Sequence, residues 1–148
     1  METPLTIRTA TLADAAIIAL LSEQLGYRVS ARDISTRLAA LPAHSEAVLV
    51  AERSDTVVAW LQIGVGLAIE SQPHVEIRGL VVLEACRSQG IGHQLINAAE
   101  AWARQRGFAE LRVRSNVART TTHTFYTQHG FSESKQQVVF VRQLSEKS

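Results

Sequence analysis

The segment from His74 to Ser115 constrains the fold most, because its hydrophobic period changes twice within one short stretch. His74 to Leu83 is rich in β-branched residues and reads as a strand. A polar loop follows and ends in Gly90-Ile91-Gly92, after which an amphipathic helix runs from about Gly90 to Arg106 and is closed by Gly107. Glu110 to Ser115 is a second strand. Two strands joined by an intervening helix lie parallel, since their connection crosses a sheet face instead of turning back on itself.

The flanking segments extend this unit. Thr11-Leu12-Ala13-Asp14 has the form of a capping box and opens a helix to about Leu25, with Ile17, Leu20, Leu21 and Leu25 at helical spacing before Gly26. Ser30-Ala31-Arg32-Asp33 repeats that grammar for a second helix, which carries Ile34, Leu38 and Leu41 and stops before Pro42. Ala47 to Ala51 and Thr56 to Ile69 flank the turn Arg53-Ser54-Asp55 as a hairpin, and Ser71-Gln72-Pro73 is expected to break the chain before the next strand. Downstream, a helix from about Arg119 to His129 is closed by Gly130, and Val138 to Val141 is expected to form a last strand. The expectation is one domain over residues 1–148, a mixed α/β sheet with helices on both faces.

Composition narrows the function classes. The 148 residues are 46% hydrophobic with a formal net charge of +1, which suits a globular domain and lacks the basic footprint of a nucleic-acid binder. The single cysteine, Cys86, forms no internal disulfide, so a reducing cytoplasm is the expected compartment. Ala15 to Leu21 follows Asp14 without a basic cluster and does not read as a signal peptide, and no apolar run reaches the roughly 18–20 residues that cross a bilayer. No membrane partner is expected. His44, His74, His93, His123 and His129 show no metal-ligand spacing, so no metal is expected either.

Chemistry concentrates in Arg87-Ser88-Gln89-Gly90-Ile91-Gly92. At a helix N-terminus the first amides lack intrahelical acceptors and the dipole favours an anion, while glycines let a diphosphate approach the backbone. Arg87 adds a full positive charge. A Rossmann dinucleotide site would use the same opening, but its third glycine is replaced by Leu95, and Glu110 begins a strand where the ribose-binding acid ends one.

The pattern Arg-x-x-Gly-x-Gly instead resembles the acetyl-CoA pyrophosphate loop of the GNAT superfamily of N-acetyltransferases. Ser115-Asn116-x-x-Arg119-x-x-x-His123-x-Phe125-Tyr126-x-x-x-Gly130-Phe131 and the opening Ile7-Arg8-Thr9-Ala10-Thr11 with Asp14 are similar to further blocks of that family, in the same order. Residues 28–69 match by pattern only. Two positions depart: Glu84 stands where relatives often have Pro, and Ser88 where they often have Gly.

The resemblance implies a mostly antiparallel twisted sheet with a central β-α-β crossover and a splayed parallel strand pair. Backbone groups of Leu80, Val81 and Val82 would hold the pantetheine arm, and Gly79 would mark a bulge in that strand. Arg87, Ser88, Gln89, Gly90, Ile91 and Gly92 would bind the diphosphate, with Asn116 and Arg119 as further cofactor contacts or merely as helix caps. Glu76, fourteen positions before Gly90, matches a catalytic glutamate of one branch and would accept the proton of the attacking amine; its plain alternative is a surface pair with Arg78 on the same strand face. Tyr126 would protonate the departing thiolate, or else only pack with Phe125 and Phe131.

The resulting expectation is an acetyl-CoA-dependent N-acetyltransferase acting on a primary amine, by direct attack without an acyl-Cys86 intermediate, and working as a homodimer. A non-catalytic acetyl-CoA-binding module and a protein N-acetyltransferase are the alternatives. Glu23 or Glu70 would suit a cationic acceptor, whereas Arg28 and Arg32 would suit one bearing a carboxylate or phosphonate. The sequence leaves aminoglycosides, aminoalkylphosphonates, amino-acid derivatives and a protein N-terminus all open as acceptors.

Overall fold

The computed structural model describes residues 4–115 and 120–145. The chain forms two compact units, one ending at Arg114 and the other beginning at Ser115.

In the first unit the elements run β1 (Leu5–Thr9), α1 (Ala15–Glu23), α2 (Ala31–Ala40), β2 (Glu46–Arg53), β3 (Thr56–Ala68), β4 (Ser71–Val82), α3 (Ile91–Gln105) and β5 (Leu111–Val113). The five strands lie side by side in chain order. All pairs are antiparallel except β4 with β5, which α3 joins as the parallel crossover expected of the strand–helix–strand segment.

The starts of α1 and α2 follow from their capping residues. Asp33 donates its amide to Ser30 Oγ at 3.0 Å and accepts from the Ser30 amide at 3.3 Å, a complete capping box. The expected capping box at Thr11 is present as well: the Thr11 amide donates to Asp14 Oδ2 at 2.7 Å, ahead of a 3-10 turn over Leu12–Asp14 that leads into α1.

Strand alternation separates two core layers. Val48 and Val50 of β2 pack with Val57, Val81, and Ile18 and Leu21 of α1, and Ile34 and Leu38 of α2 lie against that cluster. The intervening residues Leu49 and Ala51 pair with Leu61 and Ala59 on the opposite face, all buried. There α3 covers the sheet with Ile91, Leu95, Ile96, Ala99 and Ala103. Helices therefore occupy both faces.

Two expectations are corrected. Ser71-Gln72-Pro73 does not break the chain, because Ser71 pairs with Ala68 and β4 continues the hairpin from β3. Pro73 is tolerated because it lies at an irregularity of the β3–β4 ladder, where Gln72 and Pro73 stand opposite Leu67 alone, and β5 does not reach back to it. Val138 to Val141 is not a strand. Residues 131–145 carry no regular structure, and these side chains are 75–90% exposed, since no described strand offers them a ladder. The second unit is otherwise α4 (Thr120–Gln128), which closes on Gly130 as expected.

Candidate active site

The β4–β5 ladder is short. It joins Val75 to Leu111, Glu76 to Arg112 and Ile77 to Val113, and beyond Ile77 β4 is paired with β3 alone. A bulge falls at the divergence, because Gln62 pairs with Gly79 and Ile63 with Ile77, leaving Arg78 as the extra residue. The bulge reverses the phase of the backbone. Before it, the Val75 amide points to β5; after it, the Leu83 amide donates to Val58 O at 2.7 Å on the β3 side. By the period of two, the Val81 amide also faces β3, whereas the amides of Leu80 and Val82 face the side that β5 has left. Of the three residues expected to offer backbone groups, the phase thus selects two as donors. Gly79 is required by packing as well: a Cβ there would stand 2.7 Å from the Trp60 ring.

The chain then turns through a 3-10 segment, Glu84–Cys86, into the glycine loop. Ser88 (φ 65°) and Gly90 (φ 81°) are both left-handed, so Ser88 holds a conformation that the glycine common in relatives would adopt without a Cβ penalty. The first intrahelical bond of α3 runs from the Gln94 amide to Gly90 O, which leaves the amides of Ile91 and Gly92 ahead of it, and no side chain caps the helix. A Cβ built on Gly90 meets nothing within 4 Å. Open space over a helix start whose first amides lack intrahelical acceptors is a fit for a diphosphate.

Two cations flank this loop. Arg87 Nε donates to Val82 O at 3.3 Å, folding back over the end of β4. Arg53 Nη1 donates to Gln89 Oε1 at 2.7 Å. In the sequence Arg53 reads only as part of a turn. Nothing local marks it, because its place beside Gln89 is set by tertiary contact across 36 residues.

Glu76 lies on β4 within the short ladder to β5, with a side chain only 12% exposed. Its Oε1 stands 2.9 Å from His74 Nε2 and accepts from Arg114 Nη2 at 3.3 Å, and its Oε2 accepts from Arg78 Nη1 at 3.0 Å. The expected Glu76–Arg78 pair therefore exists, but inside a larger half-buried network in which Arg78 also donates to Glu46. Glycines on β3 give it room: a Cβ at Gly64 would collide with Glu46, and one at Gly66 with the His74 ring. Burial pushes the Glu76 carboxyl up, but the His74 hydrogen bond and the charges of Arg114 and Arg78 outweigh it and hold the group below its ordinary value. Glu76 is accordingly ionised at neutral pH.

Tyr126 belongs to the second unit, where its ring packs edge-on against Phe125 (5.2 Å) and Phe131 (5.6 Å). Burial pushes its phenol up, so it keeps its proton at neutral pH. Asn116 and Arg119 lie outside the described residues. Among the described residues, no group of three or more His, Cys, Asp and Glu side chains is placed to hold a metal ion, and no helix is long and apolar enough to cross a membrane.

Comparison with known proteins identifies the family. A family model described as the acetyltransferase (GNAT) family matches residues 15–131. An aminoalkylphosphonate N-acetyltransferase of Salmonella typhimurium is 31% identical over 86% of this chain and 85% of its own. An aminoglycoside N(6')-acetyltransferase type 1 of Stenotrophomonas maltophilia is 33% identical over 91% of both chains. A solved aminoglycoside N-acetyltransferase in complex with CoA superposes with a TM-score of 0.83 at 21% identity, covering 97% of each chain.

Proposed function

Because the chain belongs to the GNAT acetyltransferase family and is an acetyl-CoA-dependent N-acetyltransferase, we propose that it acetylates the primary amine of a small molecule, with Glu76 as proton acceptor and Tyr126 as proton donor. The observation that carries this reading is the ionised, half-buried Glu76 beside the point where β4 and β5 part. The acceptors named for the Salmonella and Stenotrophomonas relatives, an aminoalkylphosphonate and an aminoglycoside, are both small amines and support the substrate class.

Acetyl-CoA, when bound, supplies the acetyl group as an activated thioester. The amides of Ile91 and Gly92, with Ser88, Gln89 and Gly90 shaping the loop, bind its diphosphate, and Arg87 neutralises charge there. Leu80 and Val82 offer amide donors along the parted edge of β4 and Val81 lines it, orienting the pantetheine arm and polarising the reacting carbonyl. Asn116 and Arg119 remain proposed cofactor contacts. An amine attacks only as the free base, so Glu76 takes its proton directly or through one water. Tyr126, which keeps its phenolic proton at neutral pH, returns a proton to the thiolate.

The family match runs through both compact units and supports a single domain over residues 1–148. The lone Cys86 supports a cytoplasmic setting. A homodimer is the proposed assembly, which light scattering on the purified protein tests.

The deciding experiment incubates purified protein with acetyl-CoA and a panel of amines that includes 2-aminoethylphosphonate, an aminoglycoside, an amino acid amide and an N-terminal peptide. Release of free thiol with a small amine supports the proposal. CoA binding without turnover on any amine favours a binding module, and turnover on the peptide alone favours a protein N-acetyltransferase. Glu76→Gln and Tyr126→Phe should lower kcat with CoA binding retained.

A further inference from the structure

With Glu76 as proton acceptor, the residue beside it still lacks a role. His74 is 3% exposed, a titratable side chain placed in the core. It lies two residues before Glu76 on β4 and so shares its face. Its Nδ1 stands 3.0 Å from the carbonyl oxygen of Gln72, and its Nε2 stands 2.9 Å from Oε1 of Glu76. Both partners accept hydrogen bonds. The two bonds coexist only if Nδ1 donates to Gln72 and one further proton lies between Nε2 and Oε1. The ring is thus fixed at both ends, and it fits because β3 carries Gly66 where any Cβ would collide with it.

The other charged groups around the pair are Arg78 on Oε2 of Glu76, Arg114 on Oε1, Glu46 held by Arg78, and Glu110, which senses His74 electrostatically. Arg114 is 75% exposed and Arg78 33%, so His74 is the most buried of the donors on this carboxylate.

We propose, resting on the assignment of Glu76 as proton acceptor, that His74 is a positioning residue for acetyl transfer: its ring, anchored on the Gln72 carbonyl, fixes the Glu76 carboxylate within the short β4–β5 ladder. Long surface arginines tolerate many geometries of a bound carboxylate, whereas a buried imidazole with two fixed partners admits one. A residue acting in this way works only through Glu76.

The test is a double-mutant cycle of His74→Leu and Glu76→Gln, measured by steady-state kinetics with the fastest amine of the panel. His74→Leu is expected to lower kcat about 10–30-fold with KM for acetyl-CoA within about twofold, and to cost less than about twofold further in the Glu76→Gln background. His74→Gln, which keeps a side-chain donor, should recover part of the loss. Equal cost of His74→Leu in both backgrounds, or an unchanged kcat in wild-type background, overturns the inference while leaving Glu76 as the proton acceptor. An unchanged kcat in Glu76→Gln overturns the Glu76 assignment itself and this inference with it. Should His74→Leu fail to fold, proton NMR decides on the intact protein: the bridging proton should give a slowly exchanging downfield resonance that Glu76→Gln abolishes, and its absence from the wild-type spectrum overturns the inference.

Discussion

The guanidinium of Arg8 grips the carboxylate of Asp14 with two parallel bonds, Nη1 to Oδ2 at 2.8 Å and Nη2 to Oδ1 at 2.9 Å, while its Nε donates to Glu52 at 2.7 Å. One side chain of β1 thereby ties the start of α1 to β2, and Asp14 is 6% exposed. The fork geometry suits Arg and not Lys.

Removing one partner strands the other. Asp14→Asn is expected to destabilise the protein by about 2–3 kcal/mol, held to this range because Arg8 keeps some access to water, with Arg8→Lys recovering little. The Arg8 hydrogen bonds hold the Asp14 carboxyl below its ordinary value of 3.8. The stabilisation is therefore complete above that unfolded value and is lost as pH falls through the lower folded one. Urea titrations of wild type and Asp14→Asn at pH 7 and below pH 3 check this, and the difference between the two proteins should shrink at the lower pH.

The diphosphate loop gives a second expectation. Gly90→Ala adds a Cβ at φ 81°, where no neighbour obstructs it, so its cost is backbone strain alone. Calorimetry should show CoA binding weakened about 5–10-fold, equivalent to roughly 1–2 kcal/mol for a left-handed non-glycine residue. Ser88 already bears that strain at φ 65°. Ser88→Gly should leave the affinity equal or improved, whereas β-branched Ser88→Val should weaken it more than Gly90→Ala does.

How much the sequence made legible depends on how local each signal is. The crossover and the glycine loop were readable because period, loop chemistry and helix start lie within one short segment. Glu76 and Arg78 could be paired by strand alternation alone. Arg53, Arg114 and Gly64 could not be placed, because their meaning depends on register: Gly64 matters only because it pairs with Glu46, which meets Arg78 from another strand. Val138 to Val141 misled for the complementary reason, since a β-branched run states a preference for a ladder without supplying a partner. Pro73 misled because its missing amide forbids a strand only where a neighbour needs that donor.

Packing at the bulge yields a third expectation. Gly79→Ala places a methyl 2.7 Å from the Trp60 ring, whose rim lies over the bulged strand. The ring must move or β4 must shift, so a loss of about 1–3 kcal/mol is expected in urea unfolding. Because the amides of Leu80 and Val82 come directly after it, CoA affinity should fall as well. Trp60→Phe combined with Gly79→Ala should recover stability by vacating the space that the methyl needs.

The pH dependence of turnover separates the enzyme's groups from the substrate's. Glu76 sits below its ordinary value of 4.5 and Tyr126 above its ordinary value of 10.0, so neither changes charge between about pH 6 and 9. Over that range kcat/KM should rise with a slope near one in log units, and the inflection should follow the pKa of the amine used. Two small-molecule acceptors whose amines differ by about two pKa units should shift the inflection by the same amount, since only the unprotonated amine attacks. Glu76→Gln should lower the whole curve without moving its inflection. An inflection fixed near one pH for both acceptors would place the titrating group on the protein instead of the amine.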